Sequence, residues 1–195
     1  MRMSAERRVP ASQQAVWEAL NDPDVLRRSI PGCESVERIG DNELAAAVTA
    51  RVGPVKARFQ GRIVLSDIDP PRGYRAAGEG QGGAAGFAKG NATVTLEPDG
   101  DATLLKYDVE ATVGGKLAQV GSRLVDAAAR KFADDFFSRF NDIVSIGAAP
   151  LSEFVPETAP EPISETASES GRGLPTVVWA AGLIVVVGLL LFLLS

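Results

Sequence analysis

Histidine is absent from all 195 positions, and cysteine occurs once, at Cys33. Without an imidazole there is no histidine-activated serine or cysteine nucleophile, and no Cys/His cluster of the kind that holds zinc. A single thiol closes no disulfide within the chain, which suits a reducing compartment. Cys33 lies in the turn Pro31-Gly32-Cys33-Glu34 with no basic residue adjacent in sequence to lower its pKa, so it reads as a structural thiol. Positive charge is also short: 20 Lys and Arg stand against 25 Asp and Glu, a net charge of -5. Phosphate backbones are held by a basic stripe that releases counterions, and no run of Lys or Arg here is long enough. Nucleic acid is therefore excluded as a partner. Residues 1–25 lack the apolar core of a signal peptide, and the expectation is that the N-terminal part faces the cytoplasm.

What is present falls into three regions. Residues 174–195 contain PTVVWAAGLIVVVGLLLFLLS, an uncharged run that, at about 1.5 Å per residue, crosses a hydrocarbon core of roughly 30 Å. The pattern predicts one C-terminal transmembrane helix, with Arg172 on the domain side and the domain facing the cytoplasm at the inner membrane. Residues 149–173 are rich in Pro, Glu, Ser and Thr and hold too little apolar surface to offset the entropy of ordering. They read as an acidic, Pro-rich, disordered linker whose charge repels an anionic membrane. Residues 1–148 form the folded domain.

In that domain a first strand through Val9 precedes two short helices. Ser12 is the expected cap of one carrying Val16, Trp17 and Leu20, and Asp22-Pro23 restarts the chain into another toward Ile30. Six alternating segments follow: 34–39, 43–52, 55–68, 73–80, 92–97 and 103–113. Turns rich in Gly, Asp and Pro separate them, which predicts an antiparallel meander. From Lys116 to Ile146 the apolar period becomes helical, with Leu117, Gly121, Val125, Ala128, Phe132, Phe136, Phe140 and Ile143 recurring every three to four residues. The fold class is α+β: a curved antiparallel sheet wrapped around one long C-terminal helix, with an apolar cavity wherever the two do not meet.

Several stretches suggest chemistry and are better explained by structure. Gly78 through Gly83 matches G-x-G-x-x-G, yet more glycines and a strand pattern follow where the dinucleotide fingerprint needs a helix. A bent glycine-rich strand pair explains it better. The carboxylate pairs Asp67/Asp69 and Asp134/Asp135 read as solvated groups. Phe132, Phe136, Phe137 and Phe140 serve core packing or pocket lining equally well. Small residues beside them, among them Gly121 and Ala128, leave room for a small apolar molecule.

Taken together, these residues resemble the CoxG-like family of carbon monoxide dehydrogenase subunits, within the START/polyketide-cyclase-like (SRPBCC) superfamily. The resemblance is carried by Val16-Trp17-Glu18-Ala19-Leu20 with Asp22-Pro23, Ile30-Pro31-Gly32-Cys33-Glu34, and Val52-Gly53-Pro54-Val55 with Phe59 and Gly61. Asp69-Pro70-Pro71, Gly80 through Gly90, and Val113 through Ala118 with Gly121 complete it. It implies a helix-grip fold with a hydrophobic cavity and no metal centre. It also implies a non-catalytic role beside a molybdenum hydroxylase such as CO dehydrogenase, recruiting that enzyme to the membrane and handling a quinone, menaquinone or ubiquinone. The expected ligand-binding residues are Trp17, Ile30 and Pro31 from the motif turns and Phe59 and Phe87 from the strands. Leu117, Gly121, Leu124, Val125, Ala128, Phe132 and Phe136 are expected from the closing helix. Two alternatives stand beside this reading. One is a docking adaptor without ligand. The other is a cyclase- or hydratase-like enzyme, for which Arg58, Arg62, Tyr74 and Tyr107 would have to converge in the cavity.

Overall fold

A computed structural model describes residues 2–147 of the chain. Strand β1 (Arg2–Val9) leads to α1 (Gln13–Asn21), which starts where the Ser12 hydroxyl accepts from the Ala15 amide at 3.3 Å. Asp22 ends α1 and begins α2 (Pro23–Ser29). Its own amide bonds the Ala19 carbonyl, while its carboxylate accepts from the amides of Asp24 at 2.8 Å and Val25 at 3.4 Å. Pro23, which has no amide hydrogen to lose, fits the first turn. Six strands then run as a meander: β2 (Cys33–Gly40), β3 (Glu43–Val52), β4 (Val55–Asp69), β5 (Gly73–Gln81), β6 (Phe87–Asp99) and β7 (Ala102–Gly114). β1 pairs antiparallel with β7, so one seven-stranded sheet forms in the order β1-β7-β6-β5-β4-β3-β2. This is the expected α+β sheet around a helix.

Alternation decides which side chains face in. Leu44, Ala46, Val48, Phe59, Ile63, Tyr107 and Val109 point to the concave face and are buried, while their neighbours along each strand lie on the outer face. Two rows of small residues cross that concave face in register: Ala46, Gly61, Gly80 and Ala88, then Gly78, Gly90 and Ala111. They leave the depth that α4 (Ser122–Gly147) fills with Phe132, Phe136, Phe137 and Phe140, all buried. Phe136 stacks on Phe140 at 5.6 Å and meets Phe137 edge-on at 5.1 Å, and Phe137 stacks on Tyr107 of β7 at 5.6 Å. Removing any one of these rings would cost about 3–5 kcal/mol.

Two expectations change. The closing helix is two helices, α3 (Lys116–Gln119) and α4, because Gly121 takes φ +97°, a conformation that stops the first helix and re-aims the second. β6 starts at Phe87 rather than Ala92, since Ala88 and Gly90 pair with both neighbours despite the weak strand preference of glycine. The glycine-rich strand pair expected over this stretch is present, with Gly78 paired to Gly90 and Gly80 to Ala88, and a 3-10 turn, Gly83–Ala85, joins the two strands. No helix among the described residues is long and apolar enough to cross a membrane. The linker and transmembrane helix expected over 149–195 lie outside the described residues.

The hydrophobic core extends from Val9 to Val144, so a chain ended at Gly147 keeps every packed element and is expected to fold by itself. Gly32 tests the turn that positions β3. It sits at φ +70°, and a Cβ there would lie 2.2 Å from the Thr49 carbonyl oxygen, whereas Gly83 at φ +58° has nothing within 4 Å. In urea unfolding, Gly83→Ala should cost about 1 kcal/mol, the left-handed penalty alone, and Gly32→Ala more than about 3 kcal/mol because backbone atoms must also separate.

Candidate functional site

The sheet and helix part on one flank. β2 begins at Cys33, opposite Val48, and Gly32 accepts a bond from the Thr49 amide at 2.9 Å. β3 continues to Val52 beyond that point. In antiparallel register the amide and carbonyl of Arg51 point the same way as those of Thr49, so they emerge where β2 offers no strand. Against this open edge lies α4. The space between is a cavity of about 220 Å³, lined by Pro31, Gly32, Thr49, Ala50, Arg51, Ala128, Lys131, Phe132 and Asp135. Phe132 is 3% exposed and forms the apolar floor. Lys131 and Asp135, one helical turn apart and bonded at 2.8 Å, form a charged rim. The site therefore combines an aromatic floor, a backbone amide and carbonyl that β2 does not pair, and an ammonium group held by the Asp135 carboxylate. That chemistry suits a flat ring bearing carbonyl oxygens.

Of the expected ligand-binding residues, the fold brings Pro31, Ala128 and Phe132 to this cavity. Trp17, Ile30, Phe59, Leu117, Val125 and Phe136 are buried in the core, with Trp17 edge-on to Tyr74 at 5.9 Å. Three others stand elsewhere. Phe87 lies on the outer face and covers Gly114, because alternation turns Ala88 inward. Gly121 is exposed at the α3–α4 break, and Leu124, 53% exposed, packs beside Gly53 of the β3–β4 turn. Arg51, Lys131 and Asp135 were not anticipated. The Lys-x-x-x-Asp pair flanking Phe132 is visible in the sequence, but Arg51 becomes notable only once the register leaves it unpaired.

A larger concavity, about 660 Å³, lies on the outer face of the sheet among Glu43, Arg62, Glu79, Lys89 and Glu110. Its charges answer one another: Arg62 bonds Glu43, and Glu79 sits directly across from Lys89. This is a solvated sheet face, and its size does not make it a ligand site. Of the four polar residues considered for catalysis, Arg58 and Arg62 point outward into ion pairs with Glu34, at 2.6 Å, and Glu43. Tyr74 and Tyr107 point inward. Arg7 reaches from β1 under α4 to Asp134, lies over the Phe137 ring at 5.8 Å and leaves its buried Nε without a hydrogen-bond partner. Burial raises the Tyr107 phenol pKa, and the neighbouring Arg7 partly opposes this. Among the described residues no group of His, Cys, Asp and Glu could hold a metal ion.

Burial also pushes the Cys33 thiol up to about 11, a shift that nearby Arg27 only partly offsets. The thiolate is the reactive form, so alkylation by iodoacetamide at pH 8 should run roughly a hundredfold slower than for an unburied thiol and keep accelerating as the pH is raised from 8 toward about 11.

Residues 6–145 match the family described as the carbon monoxide dehydrogenase subunit CoxG. A conserved protein from Geobacillus kaustophilus is 30% identical with a TM-score of 0.72, the match covering 75% of this chain and 97% of that one. A protein from Thermus thermophilus superposes with a TM-score of 0.59 at 18% identity, over 76% of this chain and 100% of the other. The ZhuI aromatase/cyclase of Streptomyces sp. R1128 does so with 0.58 at 15%, over 78% and 98%. At such identities these last two show the fold alone. No curated protein matches the chain. Sequence motifs, seven-stranded grip and family match agree: the chain belongs to the CoxG family of carbon monoxide dehydrogenase subunits, within the SRPBCC, polyketide-cyclase-like fold.

Proposed function

We propose that this protein is a membrane-anchored, non-catalytic accessory subunit that carries a quinone and links a molybdenum hydroxylase, such as CO dehydrogenase, to the respiratory chain of the inner membrane. The observation that carries this reading is the flank cavity. Phe132 offers a face for a ring, and the Arg51 amide and Lys131 ammonium offer donors to its carbonyl oxygens. At about 220 Å³ the space admits a headgroup and not a long tail, which would run past the exposed Leu124. The expected C-terminal helix would keep the domain at high effective concentration near its lipid source.

A docking adaptor without ligand is the second reading, favoured by Phe136 and Phe140, which already fill the centre of the grip. The enzyme reading is weaker, because two of its four polar residues face away from the cavity in ion pairs.

Mass spectrometry of organic extracts from the chain ended at Gly147, expressed in its native host, decides between the first two. Quinone at near one per protein is expected; an empty domain that takes up none on addition would leave the adaptor. Ala128→Phe, which fills the cavity from a half-buried helix position, should lower bound quinone at least about tenfold while the folded circular dichroism spectrum persists.

A further inference from the structure

Charge is sorted along the domain. Three connections meet at one end: the β3–β4 turn, the glycine-rich β5–β6 loop, and the β7–α3–α4 passage, where Leu124 packs at Gly53 and Gly115 packs at Gly86. Their sequences are free of acid over long distances, with none between Glu43 and Asp67, Glu79 and Glu97, or Glu110 and Asp126. Arg51, Lys56, Lys116 and Arg123 stand there, all exposed and none with an ion-pair partner among the described residues. Most other cations of the domain are already paired across strands or along helices. The opposite end is built from turns carrying Asp41, Asp67, Asp69, Asp99 and Asp101. The basic end also exposes two of the large apolar side chains that burial leaves uncovered, Leu124 at 53% and Phe87 at 39%, together with Pro54.

Unpaired cations around exposed apolar tips match one partner chemistry: an anionic lipid bilayer, which attracts Lys and Arg at its surface and takes apolar side chains at its boundary. Residues 2–147 carry 19 Lys and Arg against 20 Asp and Glu, so such a surface attracts the domain through its positive pole rather than through net charge, and the dipolar distribution supplies the torque that turns it. We infer that the end formed by the β3–β4 turn, the β5–β6 loop and the α3–α4 junction is a docking surface of the domain itself for anionic membrane. This docking is additional to any C-terminal anchor, and it brings the flank cavity beside Arg51 close to the lipid.

The test uses the chain ended at Gly147, so that no anchor contributes, with sedimentation against vesicles of phosphatidylcholine alone or mixed with phosphatidylglycerol. Binding is expected to the mixed vesicles only, and to fall with added salt. Lys116→Glu/Arg123→Glu should weaken it by at least twenty-five-fold, roughly fivefold per cation. Leu124→Ser should weaken it with no change in salt dependence. Arg75→Glu/Arg139→Glu, the same charge change placed elsewhere, should weaken it much less. No binding to the mixed vesicles, or equal loss in the two double variants, overturns the inference. An empty quinone extract does not bear on it, because vesicle docking is read without any carried ligand.

Discussion

The structure depends on one packing problem: four phenylalanines on α4 must lie against a sheet bent far enough to grip them. The sheet meets this with small residues, since Gly61, Gly78, Gly80, Gly90, Ala46, Ala88 and Ala111 remove side-chain depth where large strand residues would hold the helix off. The same glycines ease the curvature of β4, β5 and β6. The stacking of Phe137 on Tyr107 at 5.6 Å then ties α4 to β7, and Phe136 meets Phe137 edge-on at 5.1 Å behind it. Arg7 makes a secondary tie from the edge strand, although its buried and unpartnered Nε shows that this polar contact is imperfectly satisfied. The aromatics hold the fold; the ion pair follows the position they impose.

That packing fills the centre with aromatic rings, and the cavity between sheet and helix described above lies at the margin. There β3 outruns β2 and leaves the backbone of Arg51 without a strand. An edge of this kind is normally a liability for unwanted pairing. Here α4 lies across it, and the gap becomes a cavity with both an apolar floor and polar walls. The larger hollow on the outer face lacks that combination, since its charges are matched across strands and its floor is open to water.

Much of this was legible from local chemistry. Ser12 and Asp22 bracket the short helices, and Asp- and Gly-rich turns mark most strand ends to within a residue or two. Long-range register was not legible. Phe87 reads as a pocket residue because the glycines before it hide the phase of the alternation, and pairing with Gly114 turns it outward. The break at Gly121 hides inside a helical period that continues on both sides of it. The cavity was half seen: Phe132 and Ala128 follow from the helix pattern, while Thr49 to Arg51 matter only because of where a different strand begins.

Register also accounts for the charge polarity. In a meander, alternate connections fall at opposite ends, so residues far apart in sequence are collected into two surfaces. The even spacing of strands carries Asp41, Asp67, Asp69, Asp99 and Asp101 to one end and Arg51, Lys56, Lys116 and Arg123 to the other. α4 starts at the basic end beside Gly53 and passes Arg7, near the close of β1, on its way toward the acidic one. The cavity opens between these poles, against the second to fourth turns of α4 and the last paired residues of β3. A domain oriented by its charge would hold that opening at the lipid boundary rather than away from it. Charge polarity and cavity position thus derive from the same strand order, and a ligand entering from a membrane would meet the Phe132 floor without any rearrangement of the aromatic core.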